Sequence, residues 1–367
     1  MPPVSPPRAW AEVNLHRLRA NHSVARIQGD TMAVLKAGAY GHGITHIARA
    51  LEAMPSSDRP CFFGVASVIE ARKLTNAGLK TRIYLLGASC NFEREEIVAH
   101  RWTPCISSLA EAHDFDRLVV KADGEPLPVH IAVDTGMGRG GFLPDDLLVD
   151  IDALRDLPNL MLEGIGSHLP SADEDEEFTI KQYELFNRII NKLGNDSFRY
   201  KHLANSAGML GYESRCTNLQ RPGLMLYGIS PLPEHQQQLS PVLSLKSRVS
   251  LVRQLPIGHS ISYGRETVLE KKTTVATIGI GYGDGYPREL SLKGAEVLIS
   301  GQRCPLLGRV TMDQIMVDVS ALEHCAEGDE VELFGENILV SEIAHLAGAI
   351  PWSILTGITP RVTRVYT

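Results

Sequence analysis

Between residue 31 and about residue 230, short apolar runs alternate with amphipathic stretches of helical period. The runs at 32–35, 62–65, 83–86, 104–106, 129–133, 162–165, 199–203 and 223–227 read as strands. Helical patterning lies between most of them, at 44–54, 69–77, 93–100, 109–121, 145–157, 177–193 and, more weakly, 206–212. Strands that alternate with helices build a parallel sheet. Eight repeats of this kind predict an α/β fold with an N-terminal (β/α)8 TIM-type barrel. Past Pro231-Leu-Pro233 and Gln236-Gln-Gln238 the texture changes. β-type runs at 243–251, 274–280, 296–299, 314–319 and 330–334, with one helical stretch at 341–347, predict a C-terminal mostly-β domain. The expected division is 1–235 and 236–367, with residues 8–15 alternating like a strand that is able to pair with either domain.

Bulk composition narrows the class. Hydrophobic residues make up 44% and charged residues 22% of the 367, ordinary for a globular chain with a sizeable core. The formal net charge of −7 gives no basic footprint for nucleic acid or for an anionic membrane surface. Six scattered cysteines without a C-x-x-C pair predict free thiols in a reducing compartment. The Pro-rich lead has no apolar segment of a signal peptide, and no run approaches membrane-spanning length, so the expected location is the cytoplasm.

The first strand ends on Lys36, the single charge in Met32-Ala-Val-Leu-Lys-Ala-Gly-Ala-Tyr40. A lysine there is either a structural residue that snorkels to the surface or an amine of depressed pKa, as Schiff-base chemistry requires. In such barrels the active site lies at the C-terminal ends of the strands. Lys36, Arg139, His168, His202 and Ser206 stand at or near those ends and Arg221 opens the eighth run, a set that suits an anionic, phosphate-bearing ligand. Gly136-Met-Gly-Arg-Gly-Gly141 is either a plain tight turn or a loop that aims Arg139 at a carboxylate. His168 on an apolar run, taken alone, reads as a satisfied core histidine. His42 and His46 have helical spacing but no third ligand nearby, so no metal site is expected. Gly279-x-Gly-x-Gly-x-Gly285 has no helix after it and reads as a bend, not a phosphate loop. Tyr263, between Ser262 and Gly264, is either a turn tyrosine or an accessible acid/base.

Together these segments resemble the alanine racemase family, pyridoxal-phosphate enzymes that interconvert L- and D-alanine. The match rests on Ala33-Val-Leu-Lys-Ala-Gly-Ala-Tyr-Gly-His-Gly43, Val133-Asp-Thr-Gly-Met-Gly-Arg139, His168, Arg221-Pro-Gly-Leu-Met-Leu-Tyr-Gly228 and Ser262-Tyr-Gly264. Gly281-Tyr-Gly-Asp-Gly-Tyr-Pro-Arg288, Gly308-Arg-Val-Thr-Met-Asp-Gln314 and Arg361-Val-Thr-Arg-Val-Tyr366 extend it to the C-terminus. The resemblance implies a barrel plus a β domain and the cofactor pyridoxal 5'-phosphate held by Lys36. It also implies that Tyr263 completes the partner's site in a homodimer, as the acid/base on the opposite face. Arg221 is implied at the pyridine nitrogen, with His168 orienting it. Tyr40, Ser206 and the amides of Gly223 and Leu224 are implied at the phosphate, and Arg139 and the Met312 amide at the substrate carboxylate and cofactor oxygen. Tyr282, Arg288, Arg309 and Asp313 resemble residues of a narrow entrance. The implied role is supply of D-alanine for peptidoglycan. A racemase of serine or another small amino acid, or a decarboxylase of the same fold, is the alternative.

Two positions depart from the family pattern. Many members carry a carbamylated lysine just before Val133-Asp134-Thr135-Gly136, whereas this chain has Ala132, so something other than a carbamate must hold Arg139. Trp352 replaces a tyrosine that usually meets the phosphate; its indole donates one hydrogen bond from a larger ring.

Overall fold

The structure is a computed structural model that describes residues 6–213 and 216–367. The chain divides into two compact units: Arg19–Ala39 with Ile44–Leu239, and Met1–Leu18 with Tyr40–Gly43 and Ser240–Thr367. Besides the cut at Leu239/Ser240, the N-terminal strand β1 (Ala9–Val13) goes with the C-terminal unit, because it fills a place in that unit's sheet.

In the first unit, β2 (Asp30–Val34), β3 (Phe62–Val65) and β4 (Arg82–Leu85) run parallel. So do β5 (Cys105–Ile106), β6 (Leu127–Ala132), β7 (Leu160–Gly166) and β8 (Tyr200–His202). β9 (Leu219–Gln220) pairs with β2. Backbone bonds join the two groups on both sides. Leu85 N donates to Thr103 O at 3.0 Å, and Arg221 N donates to Ala204 O at 3.1 Å. The eight strands therefore close as a barrel. The helices between them follow the expected stretches, from Ile44–Glu52 to Ser206–Gly211. Their starts have a local cause: Ser67, Ser108, Asp175 and Asn205 each accept an orphan first-turn N–H.

The barrel interior is filled from nearly every strand: Met32, Phe62, Tyr84, Cys105, Tyr200 and Leu219, with Ala132 packed against them. β7 offers Gly164 and Gly166 instead, and the imidazoles of His130 and His202 occupy that space.

Three features differ from the sequence reading. The eighth expected strand, 223–227, is a 3-10 helix over Leu224–Tyr227, and the eighth strand is Leu219–Gln220. Leu224 to Tyr227 are all buried, so the run lacks the periodicity that separates strand from helix. Leu15–Arg26 forms a helix whose weakly apolar face gave no signal. After Lys36 the backbone turns left-handed, with φ/ψ of 53°/46° at Ala37, 63°/37° at Gly38 and 57°/53° at Ala39.

The second unit is built on one wrapped sheet. β10 (Leu243–Leu255) pairs with β1 through its first half and bends at a bulge between Val249 and Leu251. A short hairpin follows, β11 (Ser260–Ile261) with β12 (Thr267–Val268). Then come β13 (Thr273–Ile278), β14 (Glu296–Ile299), β15 (Gln302–Leu307), β16 (Ile315–Asp318) and β17 (Glu330–Phe334), with β18 (Thr363–Tyr366) beside β1. Because β10 pairs with both β13 and β17, the six strands β10 and β13–β17 close on themselves. No described helix in either unit is long and apolar enough to cross a membrane.

Candidate active site

β2 carries Met32, Ala33 and Val34 into the barrel wall, and Leu35 is fully buried, so Lys36 emerges half-buried at the C-terminal end of the strand. Its approach is fixed by three bonds: Val34 N to Pro222 O at 3.0 Å, Leu35 N to Gly64 O at 2.8 Å and Tyr227 Oη to Val34 O at 2.9 Å. Desolvation lowers the Lys36 pKa, and the positive charges of Arg139 and Arg221 lower it further against the opposing pull of Glu70. The lysine is therefore biased toward the free amine.

The left-handed turn that follows carries Ala37, Ala39 and Tyr40, non-glycine residues with φ of 53°, 57° and 50°. Each costs roughly 1–2 kcal/mol relative to right-handed backbone. A half-buried carboxylate holds the turn. Glu70, on the helix Val68–Asn76, accepts Gly38 N at 3.1 Å and Ala66 N at 3.0 Å. Ala39 N closes back on Leu35 O at 2.8 Å. Burial raises the phenol pKa of Tyr40 to about 12.

Arg221 is the most constrained side chain of the site and is 6% exposed. Its Nη1 donates to His202 Nδ1 at 2.5 Å and to His202 O at 3.1 Å. Its Nη2 faces Ser167 O at 2.6 Å, His168 Nδ1 at 3.0 Å and Leu203 O at 3.1 Å. A guanidinium has five N–H groups and only donates. The four on its terminal nitrogens are engaged by the ends of β7 and β8, which leaves Nε as the remaining donor. Desolvation and the nearby Arg221, Arg139 and Lys36 hold the His168 pKa down to about 3, so this imidazole is neutral at physiological pH.

Ser206 opens the helix Ser206–Gly211, and its Oγ accepts Gly223 N at 3.0 Å and Met225 N at 3.2 Å. This draws the turn at Gly223 and Leu224 onto the serine. On the neighbouring loop Asp134 gathers Gly136 N at 2.8 Å and Gly138 N at 2.9 Å, and Arg139 follows, exposed and with no hydrogen bond or ion pair among the described residues. Ala132 contributes only a methyl group to the apolar interior.

In the second unit Tyr263 is 71% exposed. It sits on a turn strained at Ser262 (φ 63°) and tied by Ser262 Oγ to Arg309 O at 2.7 Å. Met312 is half exposed. The loop at Gly281 and Gly283 packs so closely on it that a Cβ on Gly281 would lie 2.2 Å from Thr311 O. Asp284 and Asp313 pair with Arg361 at 3.3 and 2.6 Å. The segment after Tyr40 packs on the same unit. A Cβ on Gly41 would lie 2.2 Å from Leu355 O, and Tyr366 Oη donates to His42 O at 3.1 Å. Trp352 lies half-buried on the helix Pro351–Gly357.

The barrel thus gathers Lys36, His168, Ser206, Arg221, Gly223 and Leu224 at the C-terminal ends of its strands, with Arg139 on an adjoining loop; Tyr40, Tyr263 and Met312 belong to the second unit. Three supporting residues escaped the sequence reading: Glu70, His130 and Glu163. Glu70 sits in an unremarkable amphipathic helix, and the other two are isolated polar residues in apolar strands. Only the last pattern offered a signal, because a buried polar residue needs a partner. Among the described residues no cluster of three or more His, Cys, Asp or Glu side chains is arranged to hold a metal ion.

A lysine biased to the free amine at a barrel mouth, beside a fixed guanidinium and a serine–amide turn, defines an enzyme that works through covalent chemistry at an amine. The N-terminal domain of alanine racemase matches residues 13–231, and its C-terminal domain matches residues 242–366. An alanine racemase of Carboxydothermus hydrogenoformans is 39% identical over 97% of this chain and 99% of its own length. One from Halothermothrix orenii is 37% identical over 97% and 96%. Among solved structures, alanine racemase of Clostridium difficile superposes with a TM-score of 0.91 at 33% identity, covering 100% of this chain and 97% of that one. The Bartonella henselae alanine racemase with covalently bound pyridoxal phosphate gives 0.89 at 29% identity, covering 99% and 100%. The chain belongs to the alanine racemase family, pyridoxal-phosphate-dependent isomerases with a barrel followed by a β domain.

Proposed function

We propose that this chain interconverts L- and D-alanine by moving the α-proton between Lys36 and Tyr263. The observation that carries the reading is the setting of Lys36 at the barrel mouth, where burial and two neighbouring guanidinium groups lower the pKa of its amine. The residues fit the cofactor. Lys36 offers the amine that would hold it, Ser206 with the Gly223 and Leu224 amides offers a cradle for phosphate, and Arg221 has one donor, Nε, left for the ring nitrogen. When bound, pyridoxal phosphate withdraws electrons from the substrate's α-carbon and makes its proton acidic.

The rest follows from the side chains. Lys36 Nζ takes or returns the proton on one face, and Tyr263 Oη does so on the other, since inversion requires two acid/base groups on opposite sides. Arg221 keeps its charge because five acceptors clamp it, and a fixed cation beside a ring nitrogen disfavours protonation there. That tempers the electron withdrawal and favours return of the proton over decarboxylation. His168 orients Arg221 through the 3.0 Å contact. Arg139 and the Met312 amide serve the substrate carboxylate, and Tyr40 serves the phosphate. Tyr263 stands out from its own chain, which supports a homodimer in which it completes the partner's site. The product D-alanine feeds peptidoglycan synthesis in the cytoplasm.

Tyr263→Phe, followed by α-proton exchange in deuterated water from each enantiomer, tests the two-base reading. The variant is expected to keep bound, coloured cofactor and to exchange the α-proton of one enantiomer while producing almost none of its mirror image. Unimpaired racemisation by Tyr263→Phe would rule out the second base, and an active monomer by sedimentation would rule out the shared site.

A further inference from the structure

Behind Arg221 a line of polar groups crosses the apolar barrel. Arg221 Nη1 meets His202 Nδ1 at 2.5 Å, and His202 Nε2 meets His130 Nδ1 at 2.9 Å. His130 Nε2 faces Glu163 Oε2 at 3.9 Å. Arg82 grips the same carboxylate with two bonds of 2.9 and 2.6 Å. His130 is 0%, His202 2% and Glu163 7% exposed.

The space is built for them. A Cβ on Gly164 would lie 2.7 Å from three atoms of the His130 ring, and one on Gly166 would lie 2.1 Å from His202 Cε1. Phe62, Tyr84 and Tyr200 pack around His130 at ring-centre distances of 5.5, 5.0 and 5.7 Å. Apolar residues at these positions would fill a barrel more cheaply, since buried polar groups cost free energy unless paired.

The chemistry of the donors gives the line a direction. Arginine only donates, so His202 Nδ1 accepts and its ring proton sits on Nε2. That proton is donated to His130 Nδ1, which leaves the His130 proton on Nε2, aimed at the Glu163 carboxylate. At 3.9 Å this last link is a charge–dipole contact, too long for a hydrogen bond, and His130 Nε2 has no hydrogen-bond partner. Reversing either tautomer would set an N–H against an N–H. Burial holds both imidazoles neutral. Burial alone would raise the Glu163 pKa, but His130 and Arg82 outweigh it and hold the pKa at about 2.

We propose that Glu163, acting through His130 and His202, is a positioning residue for the proton-transfer site: it fixes His130 as the acceptor for His202 and His202 as the acceptor for Arg221, and so keeps that guanidinium in register. The role rests on the function proposed above, but its first test does not. Nitrogen NMR of the cofactor-free protein with isotope-labelled histidine, assigned by single His→Gln substitutions, reads the tautomers directly. Both rings are expected neutral with the proton on Nε2 at neutral pH. A proton on Nδ1 of either ring, or an imidazolium, overturns the proposal even if Glu163 variants fail to fold.

In the holoenzyme, Glu163→Gln is expected to lower kcat roughly tenfold with KM within about twofold, and to mix the His130 tautomers. Glu163→Asp, which keeps the charge, restores much of the loss. Unchanged tautomers and unchanged kcat in Glu163→Gln overturn it as well. Absence of racemisation in the wild type, with the expected tautomers present, refutes the proposed function and leaves the relay standing.

Discussion

Ser206→Ala isolates the turn that the barrel offers to a phosphate. Ser206 Oγ is the acceptor for Gly223 N at 3.0 Å and Met225 N at 3.2 Å, and all three residues are buried. Alanine leaves two buried donors without that partner, at about 1–3 kcal/mol each, while its better helix propensity returns about 0.5 kcal/mol. The net expectation is a loss of about 1.5–5.5 kcal/mol in the cofactor-free protein. Urea unfolding followed by far-UV circular dichroism measures it, and the midpoint is expected to fall by about 1 M at an unchanged slope. Cofactor affinity should fall too, because the same substitution loosens Gly223 and Leu224 and removes a hydroxyl donor. A stability loss below about 0.5 kcal/mol would show that the amides find other acceptors, and the account of the turn would then be wrong.

Two further predictions concern charge. Glu70→Gln removes the one carboxylate that raises the Lys36 pKa, so in the cofactor-free protein Lys36 should titrate lower and react faster with an amine-directed reagent at neutral pH; slower labelling would contradict this. His168 and His22 have folded pKa values depressed to about 3 and about 4, the latter first by burial and then by Arg26. Below their unfolded value of about 6.5 the unfolded chain binds the extra protons, so stability is full above that pH and falls as pH drops toward the folded values. The slope is about 1.4 kcal/mol per pH unit for each histidine. His22→Gln should flatten the acid limb of a stability–pH curve, and a limb of equal steepness would exclude His22 as a source.

The comparison of sequence with structure divides along physical lines. Strand and helix alternation and the change of texture near 231–238 are local properties, written in neighbouring side chains, and they announced a barrel followed by a β domain. Lys36 was legible for the same reason: a charge at the end of an apolar strand next to small residues stands out without any partner. The run 223–227 was read as a strand where Leu224–Tyr227 is a 3-10 helix, because complete burial erases the periodicity that distinguishes the two. The left-handed turn after Lys36 was invisible as well. It depends on Glu70, which lies 32 residues away in sequence, to hold Gly38.

What the sequence determined by itself is the set of candidate groups and the repeating scaffold that brings most of them to one end of the strands. What only the tertiary structure decided is their state. The pKa of the Lys36 amine is lowered because the site desolvates it and because Arg139 and Arg221 approach it. Arg221 is held because β7 and β8 turn their carbonyls and imidazoles onto it. Glu163 gains a role because Gly164 and Gly166 leave room for two imidazoles between it and Arg221. Charge state and tautomer depend on burial and on contacts between residues remote along the chain, and folding alone supplies both.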